Sequence, residues 1–322
     1  MSISVVVPVF NSERSLRQLA AELLEALGGT TFELILVDDG SRDESWRVVS
    51  ELAREHVWIR GIGLMRNYGQ HNALLCGLRA ARYEIVATID DDLQNPPAEI
   101  FSLLAKLEQG YDVVYGTPRR ESHGFLRDIA SRVTKLTLQE AMGAETASKI
   151  SAFRVFRTNL RDAFANYSSP YVSIDVLLTW ATQRFASVPV ENRARTIGES
   201  NYTLRKLVIH ALNMATGFSS VPLQLSSLLG FGFTLLGFVV LVYVLFRYFT
   251  EGGRVPGFAF LSSMIAIFSG AQLFALGIMG EYLARMHMRT MNRPSYAVRT
   301  VSENPPERVE NRMATKSIFD RF

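Results

Sequence analysis

Short apolar, β-branched runs and longer amphipathic stretches alternate along the N-terminal third of the chain. The apolar runs are Ile3–Val9, Phe32–Val37, Ile59–Leu64, Glu84–Ile89 and Tyr111–Tyr115, and helical spacing fills 13–27, 43–55, 70–82 and 97–109 between them. Strands alternating with helices in this way predict a mostly parallel sheet covered on both faces. Further on, the pattern predicts helices near 124–142 and 172–184 and strands near 151–157 and 186–192. Over 203–219 the apolar positions Leu204, Leu207, Val208, Ala211, Leu212 and Ala215 share one helical face. Such a face suits either packing on the domain or lying in a headgroup layer. Its place just before an apolar run favours the second.

No Asp, Glu, Lys or Arg occurs in 207–246 or in 255–280. Each run exceeds the roughly 20 apolar residues that cross a bilayer core. Two spans are predicted, about 222–249 and 257–284, joined by "TEGGRVPG". Four parts follow: a soluble domain over 1–202, an amphipathic helix over 203–219, a membrane hairpin over 220–285, and a juxtamembrane segment with a mobile tail over 286–322.

The formal charge is +3, too mild to point to nucleic acid. A single cysteine, Cys76, excludes an internal disulfide and fits a reducing compartment. No basic leader or cleavage site precedes the first strand, so no signal peptide is expected. Arg205 and Lys206 precede the first span, and Arg285, Arg289 and Arg293 follow the second. Positive flanks stay inside, which predicts an inner-membrane protein with both termini and the soluble domain in the cytoplasm. Association between copies through the apolar helices is a further expectation.

Polar residues gather where the predicted strands end: Asn11, then Asp38-Asp39-Gly40-Ser41, then Asn67, then Asp90–Asp92. Ligands of open α/β sheets bind outside the strand C-termini, so these segments should meet. Neither G-x-G-x-x-G nor G-x-x-x-x-G-K-[ST] is present. Three adjacent carboxylates repel one another and call for a neutralising partner. In an extended segment Asp90, Asp92 and Gln94 would face one way and Asp91 the other, which suits a hard divalent cation. Alone, such a D-x-D is equally the mark of an acidic surface turn.

The order "VPVFN" (7–11), "VDDGS" (37–41), "RNYGQH" (66–71) and "DDDLQNPP" (90–97) resembles family 2 glycosyltransferases of the GT-A fold. Within them it is most similar to the polyisoprenyl-phosphate glycosyltransferases, and there to the undecaprenyl-phosphate formamidoarabinose transferases. The resemblance runs on through "GESNY" (198–202), "GEYLAR" (280–285) and "RPSY" (293–296). It implies inverting, metal-dependent transfer of one sugar from a nucleotide-sugar, UDP-linked by resemblance, to a polyprenyl phosphate. It places Pro8, Phe10, Asn11, Asp38, Asp39, Asn67, Asp90 and Asp91 around the nucleotide-sugar, with Asp39 accepting a hydrogen bond from the base. Asp90, Asp92 and Gln94 would hold Mg²⁺ or Mn²⁺. Arg119, Arg127 and Ser131 would receive the lipid phosphate, and Asp92, Arg119 and Arg127 would act at the reacting groups. No general base is nominated, and His71 is read as a structural hydrogen-bonding group.

Four positions depart from the family pattern: Ser12 where Glu is usual, Asp91 for Ala, Ser148-Lys149-Ile150 for Asp-x-Gly, and Asn201 for Lys. The competing readings are a catalytically silent membrane scaffold and a processive synthase. The second is disfavoured because Q-x-x-R-W does not occur.

The charge pattern yields a topology test. Reporters fused at either terminus should read as cytoplasmic, and one inserted at Gly252 as extracytoplasmic. A C-terminal fusion on the outer side would make the number of spans odd.

Overall fold

The computed structural model describes residues 1–119, 150–169, 172–193, 221–251, 258–291 and 293–304. The predicted helix at 124–142, the amphipathic helix at 203–219 and the residues Arg127 and Ser131 lie outside them. Elements are numbered among the described residues.

The first half alternates as expected: β1 Ser2–Val9, α1 Leu16–Leu27, β2 Thr31–Asp38, α2 Ser45–Glu55, β3 Ile59–Leu64, α3 Gln70–Ala80, β4 Ile85–Thr88. A 3₁₀ turn at Pro97–Glu99 leads into α4 Ile100–Leu107, then β5 Val113–Pro118 and β6 Arg154–Arg157. After a 3₁₀ segment at Thr158–Phe164 come α5 Ile174–Ala181, β7 Phe185–Val190, α6 Val221–Glu251, α7 Phe258–Thr290 and β8 Val298–Glu303.

The sheet order is β7-β5-β6-β4-β1-β2-β3-β8, with β1 paired in parallel to both β2 and β4. Among these strands β6 and β8 run against the rest. Period-two alternation sorts β1: Ile3, Val5, Val7 and Val9 join the core under α1, α2 and α4, and Val6 joins the core under α3 and α5. The path runs outward from β1 to β3 and returns on its other side as β4. That reversal beside β1 is where open α/β sheets bind ligands.

Two buried ionic clusters brace the sheet. At its N-terminal edge Glu33 accepts from Ser4 Oγ (2.7 Å), the Arg82 amide (2.7 Å) and Arg60 (3.3 Å). Behind β4, the Arg154 guanidinium bonds the Asp175 carboxylate and Thr88 Oγ1 (3.1 Å). Tyr115 donates to the same Asp175 oxygen (3.0 Å). Burial beside Asp175 raises the Tyr115 phenol well above its ordinary range. This cluster ties β4, β5, β6 and α5 together two residues before Asp90.

The tail begins later than the sequence suggested. Residues 298–303 form β8, which covers the edge of β3 in antiparallel register. The chain is fastened on the way: Ser295 and Ser169 exchange hydrogen bonds (3.3 and 2.9 Å), and the Met65 amide donates to the Ala297 carbonyl (2.9 Å). An edge strand needs no apolar face, so its polar composition reads as tail.

α6 and α7 are long and apolar enough to cross a membrane. They pack on one another, with Phe233 edge-on to Phe268 at 5.9 Å. Their other large side chains stay uncovered, Phe231 at 70% and Phe249 at 81% exposure. Core helices of a soluble protein would bury such residues, so these faces require lipid.

Arg154→Met should lower stability by about 3–5 kcal/mol, because it strands the Asp175 charge in the core. Arg154→Met combined with Asp175→Leu should recover most of the loss. Denaturant unfolding of the detergent-solubilised chain measures both.

Candidate active site

Each nominated residue that is described lies at the C-terminal end of a strand. β1 ends in Pro8, buried against β2, and in the exposed Phe10. Asn11 follows in left-handed backbone, φ 55°, a conformation asparagine tolerates better than most residues. Its amide donates to Ser41 Oγ (3.0 Å) and its Oδ1 accepts from the Arg42 amide (2.8 Å). The first and second loops are thereby joined.

The second loop is joined to the third by Asp39. This carboxylate is 2% exposed, and its two oxygens accept the amides of Tyr68 and Gly69, each at 2.7 Å. Burial pushes its carboxyl up to about 6, against the two amide bonds, which pull it down. Asp38 is also buried and raised for the same reason, and it accepts the Ser41 amide at 3.4 Å. Between the loops Gly40 has φ 69°, and a Cβ there would sit 2.6 Å from the Arg66 carbonyl carbon and 2.7 Å from the Asn67 nitrogen. Only glycine permits that approach. Asn67 itself is exposed at the tip.

The third loop meets the fourth through Gln70, whose Nε2 donates to Asp90 Oδ1 at 2.7 Å. The fourth returns to the first through Asp91, whose Oδ2 accepts the Phe10 amide at 3.3 Å. Burial raises the Asp91 carboxyl to about 6. Four strand-end loops thus close into a ring of hydrogen bonds.

The extended alternation expected at 90–94 is not what forms. β4 stops at Thr88, and the segment turns at Leu93, which has φ 61° while its side chain is buried. Asp91 therefore faces the first loop instead of lying aside. Asp92 Oδ1 accepts the Gln94 amide (3.2 Å), and the Gln94 carbonyl accepts the Arg193 amide (2.8 Å). Among the described residues no three His, Cys, Asp or Glu side chains gather as a metal cage. The donors at hand are Asp90, Asp92 and Gln94, all oxygen. Two carboxylates, an amide oxygen and a substrate phosphate suit Mg²⁺ or Mn²⁺, which rarely take an all-protein cage.

Arg119 is exposed past the end of β5, its amide bonded to the Val190 carbonyl (3.2 Å). His71 Nδ1 accepts the Ile174 amide (3.3 Å) at the start of α5, a structural contact. Gln70 and Arg193 were not singled out by sequence. Gln70 stood inside a quoted motif, while nothing in the sequence marks Arg193.

Residues 4–166 match the family described as glycosyl transferase family 2. The chain belongs to that family. Among the relatives of this family 2 glycosyltransferase, one from Shewanella sediminis is 35% identical over 305 residues, 93% of this chain and 92% of the relative. Another, from Enterobacter sp., is 34% identical over 304 residues, 93% of each. Both are undecaprenyl-phosphate 4-deoxy-4-formamido-L-arabinose transferases. The glucosyl-3-phosphoglycerate synthase of Mycobacterium tuberculosis, crystallised with Mn²⁺, UDP-glucose and phosphoglyceric acid, superposes with TM-score 0.51 at 21% identity. It covers 67% of this chain and 77% of its own. The shared architecture is the GT-A α/β fold.

Gly40→Ala in this glycosyltransferase should cost about 1–3 kcal/mol from left-handed backbone alone, and more from the contact with residues 66–67. Gly29→Ala, where a Cβ meets nothing within 4 Å, should be near neutral. Unfolding midpoints of the two variants make the comparison.

Proposed function

We propose that this glycosyltransferase moves one sugar from a nucleotide-sugar, UDP-linked, to undecaprenyl phosphate at the cytoplasmic face of the inner membrane, with inversion. The observation that carries the reading is the hydrogen-bonded ring of strand-end loops, with Asp90 and Asp92 on its rim and a membrane hairpin in the same chain. The named activity of relatives matching over nine-tenths of the chain agrees with it.

Pro8, Phe10, Asn11, Asp38, Asp39, Asn67 and Asp91 form the nucleotide side. A carboxylate offers about four lone-pair positions, so Asp39 retains acceptor capacity for the base after binding Tyr68 and Gly69. Asp90, Asp92 and Gln94 hold Mg²⁺ or Mn²⁺ against the diphosphate. When bound, the ion neutralises charge on the departing nucleoside diphosphate.

The acceptor phosphate is already ionised at neutral pH, its second pKa being near 6. It needs placement and charge compensation, which Arg119, Arg127 and Ser131 provide, rather than a general base. Arg127 and Ser131 are four apart, on one face of the helix expected there. A phosphate oxygen bonds to the anomeric carbon from the side opposite the diphosphate as the old C–O bond breaks. The anomeric configuration inverts.

The test supplies full-length protein with undecaprenyl phosphate, Mg²⁺ or Mn²⁺ and a panel of labelled nucleotide-sugars, and follows label into lipid. One donor should label the lipid, and Asp92→Asn should abolish transfer without changing the unfolding midpoint. Wild-type turnover by that variant would remove Asp92 from the metal site. Nucleotide binding with no transfer from any donor would favour a scaffold.

A further inference from the structure

Where the last turn of α7 meets the soluble domain, the surface opens into a cavity of about 390 Å³. Small-ligand sites occupy roughly 300–1,000 Å³. Its walls carry one carboxylate, Asp162, one guanidinium, Arg289, the amide of Asn166 and the rings of Tyr167 and Trp180. None of these belongs to the ring of strand-end loops or to the acceptor residues.

The cavity is built on fixed parts. Arg79 holds the carbonyls of Ala165 and Tyr167 at 2.9 and 2.8 Å, and the paired serines 169 and 295 fasten the chain just beyond α7. Trp180 is 52% exposed and meets Tyr167 edge-on at 5.5 Å.

Its height is set by α7. Leu283 and Met286 still present exposed apolar side chains, and Arg289 follows about 4.5 Å further along the axis. Headgroups occupy about 5–8 Å beyond the hydrocarbon on each side. Arg289 therefore stands at headgroup level, and Trp is a residue of that layer.

The paired charges select the headgroup. An anionic lipid would satisfy Arg289 but bring its charge beside Asp162. A zwitterion brings phosphate to the guanidinium and a cation to the carboxylate. A primary ammonium can also donate to Asp162 and Asn166, which a quaternary one cannot, and it can lie against the Trp180 ring. We infer that this cavity binds the phosphoethanolamine headgroup of a membrane phospholipid, whose acyl chains run along α7. The lipid holds the soluble domain at a fixed height over the bilayer. The inference rests on α6 and α7 being a membrane hairpin.

The test is native mass spectrometry of the full-length chain in detergent, titrated with dioleoyl phosphatidylethanolamine, phosphatidylcholine or phosphatidylglycerol. One phosphatidylethanolamine should be retained per chain, at least about fivefold more tightly than the other two. Arg289→Ala should weaken it about tenfold, and Asp162→Asn should erase the preference over phosphatidylcholine. Both side chains are exposed, and unchanged UDP binding verifies that the variants are folded. Equal affinity for the three lipids overturns the inference, as does an Arg289→Ala chain that binds like wild type. Displacement by free phosphoethanolamine would make this a small-molecule site, and displacement one-for-one by undecaprenyl phosphate would make it part of the acceptor path. Either result overturns the inference and leaves the transferase reading standing. A chain that stays in solution without detergent and retains no lipid of any class overturns the membrane reading itself.

Discussion

A carboxylate buried between two loops sets the shape of the cleft. Asp39 cannot turn to solvent, and both of its oxygens are committed to the main chain of residues 68–69. Losing it would leave two amides without acceptors as well as an opened loop. Through Gly40 the same contact fixes how closely the second and third loops approach. The links at Asn11, Gln70 and Asp91 then follow from loops already in place. The ring is preorganised before any donor arrives, which is what a reaction dominated by charge placement requires.

The floor under Asp90 is a second buried ionic cluster. Arg154 and Asp175 would contribute little as an isolated pair, since desolvation offsets most of their attraction. Their position gives them their effect. Arg154 reaches Thr88, so the end of β4 is tied to β5, β6 and α5 where its backbone leaves the sheet. The strained turn at Leu93 is thus built on rigid ground.

Much of this was legible in the sequence. Parallel strands covered on both faces read as unbroken apolar runs, and five such runs placed the strand ends within a few residues. The polar residues after them met at one edge, as the topology of α/β sheets demands. Three things were not legible. β8 has polar side chains and is recognisable only by the edge it covers. The turn at 90–94 depends on left-handed backbone at a leucine, which carries none of the usual Gly or Asn signal. The bonds closing the ring run from side chains to amides some thirty to eighty residues away, and only tertiary structure decides which amide meets which acceptor.

The position of β8 orders events during synthesis. β3 leaves the ribosome early, but the strand that seals its edge emerges only after both apolar helices have been made. Until then β3 presents unpaired main chain, and Met65, at the start of the third loop, lacks its bond to Ala297. A polypeptide cut short before Val298 keeps that open edge, a template for pairing with other chains. Completion of the catalytic half therefore waits on translation of the membrane half. The cell is spared a finished, nucleotide-binding enzyme adrift from the bilayer that holds its acceptor.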